Sequence, residues 1–362
     1  MNNNRISIAR AVVYTLGFPI VLGLAGGCAL DPSTTIDEDP PITSQLAACA
    51  GDGRSLEAVW SVDNGHGAIL AQAMSNTGEI ALAGTDGVIK TWIADATSPQ
   101  WDSQGSGVYG SEAPIGIAQA LGWSQDGHLV AGDGVGQVAL WDMASGMAVG
   151  SFINDGIGVT AVASNDDASM LAVINEDFGG QPRFITAQGG TVNEVVDHIL
   201  WGADDVAFHA DGDLAIVAGH NYGTPAWFSV DLVQPDQVLS TWNRIDLLDW
   251  VHAITFDSKG GMVAVSENAL LLFDAQSIRS PESQERVIGH DNWGAIDVAV
   301  TPDDAWIIVG TRTGLVHVLD SEGQIRSTTP LGGVVGVHLA PDGETVVAAT
   351  ADGLLQFLRC MQ

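Results

Sequence analysis

The side chains with most capacity for chemistry in this 362-residue chain are nine histidines and 44 acids, and their spacing points away from catalysis. A zincin needs two histidines one helical turn apart beside a glutamate. A serine hydrolase needs its nucleophile on a Gly-x-Ser-x-Gly elbow, and a nucleotide site needs a phosphate-cradling glycine loop. None of these strings occurs, and there is no Cys-x-x-Cys pair. His66 and His290 each follow a glycine, His317 and His338 lie in alternating apolar segments, and His128 and His209 stand beside turn-forming residues. Asp211-Gly212-Asp213 is too short for a calcium loop and lacks the closing glutamate. The expectation is no catalytic residue, no metal site and no cofactor.

The composition is that of a folded chain, with 46% hydrophobic and 15% charged residues. The 44 glycines indicate many tight turns. With 44 acids against 12 lysines and arginines, the formal charge is −32. Such a surface repels phosphate backbones, so a nucleic-acid partner is not expected, whereas a basic protein partner would be attracted.

At the N-terminus, Arg5 and Arg10 precede an apolar run from Ala11 to Gly27, the layout of an export signal. The run spans 17 positions and contains Gly17 and Pro19, which is short for a membrane helix. Its end, Leu24-Ala25-Gly26-Gly27-Cys28, resembles the lipobox of bacterial lipoproteins, with Leu24 one position further from the cysteine than usual. The resemblance implies a signal peptide over 1–27, lipid on Cys28, and residence in the bacterial cell envelope, anchored in the outer membrane. Ordinary cleavage to a soluble secreted product is the alternative. Proline, threonine and acids dominate residues 31–41, so 28–54 is expected to be a flexible tether.

The remainder, 55–362, is repetitive. A four-residue turn recurs seven times after an alternating strand, ending at Gly78, Gly127, Asp167, Gly212, Gly260, Asp304 and Gly343, at intervals of 39 to 49 residues. Each turn is followed by a nearly continuous apolar strand, a second turn and a third strand. No window sustains helical periodicity. Trp141-Asp142, the worn forms Phe273-Asp274 and Leu319-Asp320, and the pairs Gly65-His66 and Gly289-His290 resemble the WD40 repeat. The spacing and the resemblance together predict an all-β, seven-bladed β-propeller of four-stranded antiparallel blades, most simply a monomer.

A ring of strands must close. The last repeat supplies three strands and the chain before the first repeat supplies one more, Leu56 to Val62. That strand is expected to be the outer strand of the last blade, antiparallel to residues 354–360. The pairing would bring Cys49 near Cys360 and predicts a disulfide between them as a clasp, in a compartment that permits one. Two unrelated thiols are the alternative.

Aligning the repeats on their turns compares the loops that enter each innermost strand. Four carry glycine (Gly67, Gly116, Gly156, Gly332), while the fourth to sixth carry tryptophan at or beside that place: Trp201, Trp250 after Asp249, and Trp293. The WD40 resemblance places this loop on the top face together with the turn between second and third strands, which adds Phe178, Tyr222 and Arg312. These residue types favour protein recognition. The expectation is a non-enzymatic scaffold whose top face binds a protein, with membrane contact only through the lipid. Local packing of each tryptophan over its own blade is the plainer alternative. The competing function is a propeller enzyme or small-ligand receptor with its site at the mouth of the central channel, which converging ionisable side chains there would favour.

Overall fold

The computed structural model describes residues 45–63, 67–93, 116–153, 157–175, 182–186, 191–194, 200, 202–232, 238–243, 249–280, 285–290 and 293–360. Cys28 and the segment 28–44 lie outside them. The described strands form seven antiparallel sheets. Each innermost strand packs against the next, and that of the seventh sheet packs against the first. The protein is therefore a seven-bladed β-propeller. Six blades have four strands; the first shows three among the described residues, Ile69–Met74, Glu79–Gly84 and Ile89–Ile93.

Ring closure is as the sequence predicts. The Glu57–Asp63 strand pairs antiparallel with Leu354–Arg359 and completes the seventh blade, with Ser61 opposite Gln356. Cys49 and Cys360 form a disulfide, Cα atoms 5.5 Å apart across a sequence separation of 311. Part of the expected tether is ordered instead. Gln45–Asp52 is an α-helix that packs on the outer strands of the sixth blade. Alanine-rich sequence favours the helix, and Leu46 and Cys49, three apart and thus on one face, are both buried. Behind it, Thr329 Oγ1 accepts the Leu56 N–H at 2.8 Å, and the Ser327 hydroxyl donates to the Arg54 carbonyl at 2.6 Å.

The alternating sequence of each strand fills the seams between blades. Among the described residues seven apolar clusters occur, one for each pair of neighbours around the ring. The cluster between the sixth and seventh blades contains Leu46, Cys49, Leu56, Leu358 and Cys360, so both ends of the propeller meet there.

The hairpin turns fall where the repeats put them, with one slip. In the third blade the turn runs from Asn165 to Ala168, closed by the Ala168 N–H on the Asn165 carbonyl at 3.1 Å, one residue later than the repeat suggested. Ala168 thus takes the left-handed position (φ 52°) that glycine fills in five other blades.

Every innermost strand also carries one β-bulge at its start. Its register skips a single residue: Leu70, Gln119, Thr160, Asp204, His252, Ile296 or Val335. Just beyond the bulge, two buried aspartates tie neighbouring blades together. Asp205 Oδ2 accepts the Ile254 N–H at 2.8 Å, and Asp297 Oδ2 accepts the Val337 N–H at 2.7 Å. The seventh blade has Gly336 at this place, because the buried amide of Gln72 from the first blade occupies the space a Cβ would need.

The disulfide closes nearly the whole propeller into one covalent loop, so it restricts the unfolded chain strongly. Replacing both Cys49 and Cys360 with serine is expected to lower unfolding free energy by about 2–5 kcal/mol. Urea denaturation of the oxidised protein beside the double variant checks this; coincident midpoints would remove the clasp from the account.

Candidate binding face

In an antiparallel blade, the loop entering the first strand lies at the same end as the turn between the second and third strands. This end is the top face. Among the described residues, seven large hydrophobic side chains are exposed. Four of them, Ile117, Val135, Tyr222 and Trp250, sit on top-face loops and turns. The other three, Val59, Val149 and Ile325, lie on outer strands at the rim, and none lies on the bottom-face hairpins.

Trp250 is set by its neighbour. The Asp249 carboxylate accepts three backbone N–H groups, from Trp250 at 2.7 Å, Glu267 at 2.9 Å and Asn268 at 2.7 Å, so it ties the incoming loop to the turn of its own blade. The Asp249 N–H donates to the Gly223 carbonyl of the fourth blade at 3.1 Å. Held in this way, the Trp250 indole stacks on His220 with centroids 4.3 Å apart, yet stays 44% exposed. Tyr222 stands at the tip of the adjoining hairpin, 72% exposed and in the left-handed region (φ 51°). A bulky residue there, at some cost in backbone strain, is a reason to look for a role.

Beneath Trp250, the bulges of the fourth and fifth blades bring two ionisable groups together. His252 Nδ1 lies 3.3 Å from Asp204 Oδ2. His252 also belongs with Asp249 and Glu267 to a group whose polar atoms lie within 4.8 Å of one another. Arg312 Nη1 reaches Glu267 at 3.5 Å across an open cleft of about 320 Å³ lined by Glu267, Asn268, Gly294, Arg312 and Thr313.

Trp293 is not part of this exposed set. It is buried, its indole N–H donates to the Ser266 carbonyl at 2.9 Å, and its ring stacks between His290 and His317. It is a strut between the fifth and sixth blades, rather than a cover over its own blade alone, and its burial leaves no surface for anchoring. Trp201 and Phe178 lie outside the described residues. Of the six side chains proposed from sequence for recognition, the structure brings Trp250 and Tyr222 to neighbouring positions and places Arg312 across the cleft.

Sequence reading missed His220, His252 and Asp204. The signal for the last two was the bulged residue near the start of each innermost strand, where only the fourth and fifth blades have an ionisable side chain.

The bottom face has a counterpart. Arg279 donates both terminal nitrogens to Asp213, at 2.8 and 2.9 Å, and one of them also lies near Asp211 and His209 Nδ1. The bonds from Arg279 hold the Asp213 carboxyl below its ordinary range, and Asp213 in turn raises Arg279.

No protein-family model matches the chain, and no curated protein is significantly similar to it.

Burial lowers the pKa of His220, His290 and His317; for His317 the nearby His290 lowers it further. A histidine whose folded pKa is depressed stabilises the fold fully above the unfolded value of about 6.5 and loses that contribution as pH falls below it. Stability is therefore expected to decline from pH 7 to 5, and His317→Gln is expected to reduce the decline. Urea midpoints of both proteins at the two pH values check this, and equal declines would show that His317 takes no part.

Proposed function

We propose that this propeller is a non-enzymatic scaffold of the bacterial cell envelope, held to a membrane by lipid on Cys28, whose top face captures a basic protein partner. The observation that carries the reading is the one-sided distribution of exposed apolar side chains. Trp250, Tyr222, Ile117 and Val135 share the top face, and the hairpin face has none among the described residues. Large aromatic side chains left in water tend to mark binding surfaces and are frequent binding anchors. The charge of −32 would steer a basic partner toward them. The WD40-like turns and Gly-His pairs support the same reading, because proteins of that kind serve as rigid platforms. The lipobox-like end at Cys28 supports the envelope address.

The competing reading, a catalytic or small-ligand site at the channel mouth, draws on the grouping of Asp204, His252, Asp249 and Glu267. Both Asp249 oxygens already accept backbone N–H groups, and among the described residues the group holds no cysteine beside its carboxylates and His252. The arrangement therefore suits binding better than turnover.

A photo-crosslinking residue placed at Tyr222 of the full chain in its own envelope is expected to give a discrete protein adduct. The same residue at Asn76, on the bottom face, is expected to give none. Trp250→Ala should weaken the adduct partner's binding by about 2 kcal/mol, roughly thirtyfold. Equal adducts from both faces, or none from Tyr222, would remove the top face as the capture surface.

A further inference from the structure

We infer that the His290–Trp293–His317 stack is an acid-operated latch, which frees the Trp293 indole from its seam into the top-face cleft when both histidines carry protons. The latch belongs to the seam between the fifth and sixth blades and does not depend on what the top face captures.

Two adjacent seams repeat one motif, a tryptophan of the loop entering a blade with two histidine rings beside it. Trp250 has its centroid 4.3 Å from that of His220 and 6.3 Å from that of His252. For Trp293 the distances are 4.4 Å to His290 and 6.4 Å to His317. The two stacks differ in the charges around them. Beside Trp250, Asp204 lies 3.3 Å from His252 Nδ1 and also favours the charged form of His220, so a carboxylate is at hand to balance a proton. Among the described residues no carboxylate does this for the Trp293 stack. His290 Nε2 meets the Gly323 carbonyl at 3.2 Å, and His317 Nδ1 meets Thr328 Oγ1 at 2.9 Å. The elements packed around them carry Glu267, Glu285, Arg286, Arg312, Asp320, Glu322 and Arg326, none of which moves the proton equilibrium of either ring. Glu267 meets Arg312, Asp320 holds Arg326, and Arg286 donates to the Ser321 carbonyl.

The stack can bear one proton. His290 is the less buried ring, the Gly323 carbonyl supports its charge, and a cation on an indole face is attracted to it. A second proton is different. It places a like charge on the other side of the same indole, on His317, which is buried and has no carboxylate near it. Separating the two rings then relieves both the repulsion and the burial.

The indole has a way out. One hydrogen bond, to the Ser266 carbonyl, holds its N–H. The next residue, Gly294, is in the left-handed region (φ 62°), and no atom comes nearer than 3.9 Å to where a Cβ would lie. Its N–H donates to the Glu267 carbonyl at 3.0 Å and its carbonyl accepts the Arg312 N–H at 2.8 Å, so the backbone stays pinned while the side chain swings. Gly294 also lines the cleft of about 320 Å³, where Arg312 offers a half-exposed guanidinium for the indole to stack on.

The test uses the full chain labelled with 5-fluorotryptophan, the Trp293 signal being assigned through Trp293→Phe. Fluorine shifts, and their change between H₂O and D₂O, are followed as the protein is taken from neutral to mildly acidic pH. The Trp293 signal is expected to move reversibly and to gain the solvent isotope shift of an exposed indole, with a midpoint below about 6.5. Trp250 and the other tryptophans are expected to keep their signals. His317→Gln and His290→Gln should each abolish the change, because one proton is not enough to open the stack. Arg312→Ala should alter the acid-form shift of Trp293 and leave its neutral form as it is. Unchanged signals from the other tryptophans at neutral pH report that each variant is folded. A Trp293 signal that stays constant in acid, or one that changes only together with all the others, would overturn the latch. So would a full acid change in either folded histidine variant. An acid-form shift indifferent to Arg312→Ala would overturn the cleft as the place the indole goes.

Discussion

The pairing of Glu57–Asp63 with Leu354–Arg359 is the constraint on which the rest of the molecule depends. A blade buries its two faces only against two neighbours, and seven blades have seven seams only when the ring is shut. Each seam here has its own apolar cluster, including those on either side of the seventh blade. Without the N-terminal strand, the seventh blade would have three strands and the two ends of the propeller would no longer be joined by the ladder to Leu354–Arg359. The disulfide and the Gln45–Asp52 helix reinforce the same joint, by a covalent bond and by burying Leu46.

A shut ring fixes the top face. Each innermost strand begins with a bulge, and a bulge re-aims one side chain away from the regular pleat. In five blades that side chain is apolar or neutral. In the fourth and fifth it is Asp204 and His252, which the ring brings to 3.3 Å. Asp205 and Asp249 then hold the same two blades in fixed relation, one through the Ile254 N–H and the other through the Gly223 carbonyl. Trp250 is thus presented by backbone ties together with its stacking on His220. The bottom face uses its cluster differently, as a ring contact in which Arg279 of the fifth blade grips the turn of the fourth.

Much of the fold was legible in the sequence because a propeller repeats one short grammar. Turn residues at steady intervals give the blades, and the need for ring closure gives the Glu57–Asp63 strand and brings Cys49 to Cys360. What was hidden depends on tertiary context. Ala168 occupies a left-handed position that pattern alone assigns to glycine. The Gln45–Asp52 helix is too short to stand without the sixth blade beneath it. Trp293 looked equivalent to Trp250 in the alignment of loops. Each tryptophan has two histidine rings beside it, but the Trp293 indole N–H is also drawn inward by the Ser266 carbonyl, whereas Trp250 stays 44% exposed. The bulges were invisible because a one-residue register skip changes no residue type.

Native-state hydrogen exchange, resolved to individual amides, tests the primacy of ring closure most directly. If closure holds the seven blades together, amides of Glu57–Asp63 and Leu354–Arg359 exchange only with global unfolding, and reducing the disulfide lowers protection in all seven innermost strands together. Exchange of Glu57–Asp63 at unprotected rates while the innermost strands remain fully protected would show that the blades stand without the closure, and would contradict the account.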